Sequence, residues 1–183
     1  RGGINTNDGL TVRRLRLRFE PLQMALVRSF QPNIKVGGQL AGTATLTGGM
    51  RSGFQIDADI VHTEAATGRS HVLAVGHVDV AGGFVARNLK LRFEPLQVAL
   101  LRSFDPTLPL DGVITGNATI NGSPDRRIAA QFDVAHEGST GTSSVAGDAD
   151  LTFAGVLQRI NVDMRARPHH DAAAAVGVHL ADR

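Results

Sequence analysis

The chain has 183 residues, 42% of them hydrophobic and 20% charged, enough for one domain or two small ones and unlike a disordered tail, a collagen-like fibre or a wholly membrane-embedded protein. It contains no Cys, Trp or Tyr, which excludes disulfides, thiol nucleophiles, zinc-thiolate sites and iron–sulfur sites. Nineteen Lys and Arg against 17 Asp and Glu leave a net charge of +2, and eight Phe do not supply the stacking surface that nucleic-acid binding calls for, so no nucleic-acid partner is expected.

The amino terminus, Arg1-Gly2-Gly3, has neither an initiator Met nor a signal-peptide pattern, so the chain reads as a processed form or a section of something longer. No apolar run approaches the roughly 20 residues that span a bilayer, and no transmembrane segment is expected.

From Thr11 onward, Leu15, Leu17 and Phe19 alternate with Arg14, Arg16 and Arg18, the two-residue period of a half-buried strand. Glu20-Pro21 is expected to stop that strand, because Pro lacks an amide donor. Leu22, Leu26 and Phe30 then fall four apart, which predicts a short helix over 21–31 with Pro32 at its exit. Leu40, Ala44 and Leu46 followed by Phe54, Ile56, Ala58 and Ile60 predict a hairpin turning at Gly48-Gly49. A further strand is expected from His71 to Val80.

The stretch LRLRFEPLQMALVRSFQP (Leu15–Pro32) recurs without a gap as LKLRFEPLQVALLRSFDP (Leu89–Pro106). The correspondence continues at the same offset through Gly42 and Gly116, Ala44 and Ala118, Asp59 and Asp133, and His62 and His136. This predicts a repeat of about 74 residues in one continuous domain, the first unit within 1–88 and the second, with added C-terminal strands, within 89–183. The second holds a helix over 95–105, a strand through Ile114 and Ile120, a turn at Asn121-Gly122, and a strand through Ile128, Phe132 and Val134. Later strands are expected over 145–153, 157–167 and 175–181. The fold class is therefore mostly β: an antiparallel curved sheet, either an open groove or a flattened sandwich, with one short helix per unit.

Candidate chemistry is sparse. His62 with Glu64, and His136 with Glu137, are read as strand-end residues on the polar face, with an acid/base pair as the competing reading. His169-His170-Asp171 could make a metal site only through a sharp turn or with outside ligands such as His71 or His179, because adjacent side chains of an extended segment point apart. Ser29 and Ser103 lack a G-x-S-x-G elbow, and the glycines of 36–42 lack the Lys-Ser/Thr of a phosphate loop. No catalytic residue, metal or cofactor is assigned, and the chain is not expected to be an enzyme.

The strand–Pro–short helix–Pro unit followed by a Gly-punctuated β-run, over Leu15–Gly48 and Leu89–Gly122, resembles the repeats of the AsmA/TamB-like family of bacterial envelope proteins. The resemblance implies a periplasmic, membrane-extrinsic location and a β-groove with an apolar interior, engaged in phospholipid transport or outer-membrane assembly. It implies that Leu17, Phe19, Leu46, Ile56, Leu91, Phe93, Ile120 and Phe132 line a lipid-facing trough. Arg14, Arg16 and Arg18 form a basic stripe that either guards an edge strand or meets lipid headgroups or an acidic partner. The first functional expectation is thus a non-catalytic module that binds acyl chains. The alternative is a structural subunit that braces a membrane-protein complex by packing against its partner chains.

Overall fold

A computed structural model of the chain describes residues 4–5, 11–30, 36–103, 106–123, 126–154 and 156–167. Its elements are β1 (Ile4–Asn5), β2 (Thr11–Gln23), α1 (Met24–Phe30), β3 (Gln39–Gly49), β4 (Gly53–Glu64), β5 (Gly68–Asp79), β6 (Val85–Gln97), α2 (Val98–Arg102), β7 (Val113–Ser123), β8 (Arg127–Gly138), β9 (Gly141–Ala154) and β10 (Val156–Arg167). The ten strands form one antiparallel sheet in which every strand pairs only with its neighbours in sequence. Of the two expected forms, the sheet is the open one. It does not curl into a groove, and no second layer among the described residues makes a sandwich. The strand expected over 175–181 lies outside the described residues.

The strand lengths correct the expected stop at Pro. β2 runs through Glu20-Pro21 to Gln23, and β6 through Glu94-Pro95 to Gln97. Each has one extra residue between Phe19 and Leu22, or Phe93 and Leu96, relative to its partner. The Glu-Pro pair occupies this bulge, where a missing amide costs no ladder bond. A second bulge separates Val12 from Leu15 and Ala86 from Leu89. In β6 it holds Asn88 in the left-handed region (φ 48°), and the Asn88 amide donates to Asn121 Oδ1 at 2.7 Å. Asn121-Gly122 is therefore strand rather than turn, with β7 continuing to Ser123. Likewise Gly48-Gly49 belongs to β3, and the turn is made by residues 50–52.

The helices are shorter than expected, and their buried positions differ. Leu22 and Leu96 belong to strands, Leu26 is 53% exposed, and the buried helical residues are Met24 and Val98. The first helical amides are anchored: Met24 N–H donates to Gly38 O and Val98 N–H to Gly112 O, both at 2.9 Å. The strands β2 and β6, β3 and β7, and β4 and β8 begin and end at equivalent positions of the repeated sequence.

Burial concentrates at the two ends of the strands. At one end Val12, Phe54 and Val78 form a buried cluster against Leu15, Met50, Ile56 and Leu89. At the other end Met24, Val36, Leu96, Val98, His62 and Ser70 are buried. Gly42 (φ +138°) and Gly116 (φ +127°) lie opposite Phe19 and Phe93 in the ladders, and a Cβ at either would come within 2.3 Å of a carbonyl of the next strand. Because Phe54 anchors the cluster, Phe54→Ala should lower stability by about 3 kcal/mol. Gln55→Ala, on the exposed face one residue on, should change it by less than about 0.5 kcal/mol. Urea unfolding of the two variants measures the contrast.

Candidate functional site

Strand alternation and register assemble an apolar face from residues scattered along the chain. Three rows cross it. The first holds Leu15, Leu46, Ile56 and Gly76, continuing at Leu89, Ile120, Ala130 and Ala149. The second holds Leu17, Ala44, Ala58, Ala74, Leu91, Ala118, Phe132 and Gly147. The third holds Phe19, Gly42, Ile60, Val72, Phe93, Gly116, Val134 and Val145.

The eight apolar residues singled out from the sequence, Leu17, Phe19, Leu46, Ile56, Leu91, Phe93, Ile120 and Phe132, all fall in these rows. The bulges of β2 and β6 make this continuity work. An added residue lets Val12 share a face with Leu15, and Phe19 with Leu22, although their sequence spacing is odd. What the sequence reading left out of the site is the floor. Ala44, Ala58 and Ala74 lie side by side between Leu17 and Leu91, a low furrow about 19 Å long at the usual spacing of about 4.8 Å per strand. The signal was present as alanine at alternate positions, but only register shows that the three are neighbours. Most of these residues are half-buried, Ala44 is buried among its neighbours, Leu17 is 36% exposed, and no second sheet of described residues lies over them.

Arg14, Arg16 and Arg18 are exposed and alternate with the apolar residues of β2, so the basic stripe and the apolar rows occupy opposite faces. Arg18 Nε pairs with Glu20 at 3.0 Å. On that polar face an ionic chain links three strands: His71 Nε2 lies 2.7 Å from Asp59 Oδ1, His71 Nδ1 lies 3.5 Å from Glu94, and Arg92 contacts Glu94. Arg87 pairs with Asp79 at the opposite end of β5. Nothing in the linear sequence marked His71 as part of this chain, since its partners belong to the strands on either side, β4 and β6. Among the described residues no group of three or more His, Asp or Glu is placed to hold a metal. His169, His170, Asp171 and His179 lie outside the described residues.

The two histidines of the acid/base reading are not on the polar face. His62 is 5% exposed, on the apolar side, and its Nε2–H donates to Gly37 O at 2.7 Å. His136 Nε2–H donates likewise to Asp111 O at 2.6 Å. A carbonyl only accepts, which fixes the proton on Nε2 in both. Each imidazole ties the segment returning from a helix to the end of the following hairpin. Glu64 shares the face of His62 and accepts from Thr67 Oγ1 at 3.0 Å, whereas Glu137 is exposed on the opposite face from His136.

Asp111, which carries the carbonyl held by His136, has its carboxyl pulled below the usual carboxylate range. The causes are hydrogen bonds from the Ser139 side chain and backbone amide, the latter to Oδ1 at 3.1 Å.

Among the described residues no helix is long and apolar enough to cross a membrane. Compared with protein-family models, curated proteins and solved structures, the chain matches none.

Two outcomes follow from these contacts. Replacing His62 with Ala leaves the Gly37 carbonyl without its donor and opens a buried space, so stability should fall by about 1–3 kcal/mol in chemical denaturation. For Asp111, a carboxyl that is more acidic folded than unfolded stabilises the fold above its unfolded value, near pH 3.9, and that contribution disappears as pH falls through the folded value. Ser139→Ala should therefore move the Asp111 titration toward the ordinary range, read by carboxyl-carbon NMR, and shrink the loss of stability below pH 4.

Proposed function

We propose that the chain is a non-catalytic module of the bacterial envelope that holds lipid acyl chains along its apolar face, as its likeness to AsmA/TamB-like repeats suggests. One observation carries this reading. The rows through Leu17, Ala44, Ala58, Ala74 and Leu91 form a continuous apolar surface on a sheet one layer thick, with no second sheet of described residues laid over it. Exposed apolar patches above a few hundred Å² are unusual on free-standing proteins and mark binding surfaces. Covering about 300 Å² at about 25 cal/mol per Å² gives about 7 kcal/mol, before the cost of association is subtracted.

The alanine furrow is flanked by Leu46, Ile56 and Gly76 on one side and Gly42, Ile60 and Val72 on the other, an apolar lining without a polar group, which suits an acyl chain. Arg14, Arg16 and Arg18 face away from the furrow, so a lipid lying in it reaches them only around the β2 edge. The basic stripe is therefore read as a surface for anionic headgroups of a neighbouring membrane, separate from the acyl-chain seat.

Native mass spectrometry with lipid extraction tests the reading: phospholipid should co-purify with the chain. Titration with a pyrene-labelled phospholipid should show binding that Ala58→Glu, in the middle of the furrow, weakens at least tenfold, while Gln55→Glu on the polar face leaves it within twofold. A lipid-free chain that ignores the probe and co-purifies in fixed ratio with a membrane protein would replace this reading with that of a structural brace.

A further inference from the structure

The polar face carries its charge in stripes, one strand to a stripe. In the two rows that cross its middle, β2 presents Arg16 and Arg18, β4 Asp57 and Asp59, β6 Lys90 and Arg92, and β8 Asp133. The strands between are uncharged in these rows: Thr43 and Thr45 on β3, Leu73 and Val75 on β5, Asn117 and Thr119 on β7. Sign therefore reverses at every second strand, a step of about 10 Å at about 4.8 Å per strand. All seven charged residues are exposed, and Asp57, Lys90 and Asp133 have no ion-pair partner among the described residues. Val75, at the centre of the pattern, is 45% exposed.

Such a pattern complements itself under one operation. A half-turn about an axis parallel to β5 lays a second copy over the first, keeps height along the strands, and exchanges β4 with β6, β3 with β7 and β2 with β8. Asp57 then meets Lys90 and Asp59 meets Arg92, each contact occurring twice by symmetry. Thr45 meets Thr119, Thr43 meets Asn117, and Arg18 meets Asp133. Leu73 and Val75 meet their own counterparts on the axis, so an apolar centre is ringed by polar and ionic contacts. Beyond them on the axis lie His71 and His77, each beside carboxylates of its own chain, Asp59 and Glu94 for His71 and Asp79 for His77. The twist of the sheet is unchanged by this rotation, so the two faces follow each other. Other half-turns fail. An axis along β4 or β6 sets Asp57 on Asp57 or Lys90 on Lys90, and an axis across the strands sets every stripe on its own sign, an arrangement that repels.

We infer that the polar face is the contact surface for a second copy of this chain, in a twofold pair with its axis along β5 and both apolar faces turned outward. Strands β2–β8 lie about 29 Å across and the rows from His71 to His77 run about 20 Å along them, so the pair buries about 1,200 Å² in total, the lower bound of standard stable interfaces. Of the basic stripe only Arg18 is engaged by a carboxylate; Arg16 lies over uncharged Gln131 and stays with Arg14 at the rim. The inference concerns the face opposite the acyl-chain seat and does not depend on it.

Sedimentation velocity of the whole chain tests it. At about 50 mM salt, monomer and dimer should exchange between about 10 and 500 µM protein, and the dissociation constant should rise at least tenfold at about 500 mM salt, which screens the exposed pairs. Asp57→Lys and Lys90→Asp should each weaken the dimer at least tenfold, because each makes the facing pairs like-charged. Mixed one to one, the two variants should form a heterodimer within threefold of the parent affinity, since each supplies the charge the other lacks, and a chain carrying both substitutions should recover in the same way. Ala58→Glu, on the apolar face, should leave the dissociation constant within twofold. The inference is overturned by monomer alone at the highest concentration in low salt, by a dimer indifferent to the two charge reversals, or by a mixture and a double variant no stronger than the single ones. It is also overturned by a dimer lost on Ala58→Glu, which would place the contact on the apolar face.

Discussion

Everything in this molecule depends on uninterrupted cross-strand register. In a sheet whose side chains alternate between faces, a slip of one residue in any strand sends its apolar set to the polar side. Nine successive pairings hold the alternation, so that Leu17 on β2 lies in one row with Phe132 on β8 through Ala44, Ala58, Ala74, Leu91 and Ala118. The bulges of β2 and β6 are part of the same scheme. Each inserts one residue where the apolar spacing changes from two to three, keeping Val12, Leu15, Phe19 and Leu22 on one side. Glu20-Pro21 and Glu94-Pro95 fall within bulges, which is why prolines that look like strand breakers lie inside strands of 13 residues.

The same register sorts the polar groups. Asp59, His71 and Glu94 are far apart in sequence but adjacent across β4, β5 and β6, and with Arg92 they make an ionic chain on the exposed face. Such exposed pairs contribute little individually, at most about 1 kcal/mol each. Their arrangement follows the register, since a shifted strand would separate the partners. The histidines at the strand ends do different work. His62 and His136 each hold a carbonyl of the segment that returns from a helix, so the excursion through α1 or α2 is tied to the sheet at both its start and its finish.

A sheet of one layer has two faces, and they call for different partners. One face offers apolar area without direction, the property on which the proposed acyl-chain seat rests. The other offers charge in alternating stripes, the property on which the proposed pairing of two copies rests. The arginines of β2 belong to the second: they project away from the alanine furrow. Reading Leu17 and Arg16 as parts of a single lipid site would join surfaces that the pleat separates.

The features legible along the chain were local and periodic. The alternation of Leu15, Leu17 and Phe19 with arginines placed a half-buried strand, the recurrence of that pattern at Leu89, Leu91 and Phe93 placed a second, and the resemblance to AsmA/TamB-like repeats implied a common face for eight apolar residues. The sequence placed helix positions less well, because spacing by four in Leu22, Leu26 and Phe30 is equally satisfied by a strand end followed by a short helix, and the buried residue proved to be Met24. It also put His62 on the polar side, since a lone histidine at a strand end carries no sign that it will meet the carbonyl of Gly37, which comes before the whole hairpin. Pairing between strands settled that the sheet stays open, that three alanines from three strands make a furrow, that His71 sits between two carboxylates, and that among the described residues β2 has only β1 on its outer side. The physical reason is that periodicity is fixed by the pleat of a single strand, whereas neighbours are fixed by pairing between segments whose separation along the chain no local pattern encodes.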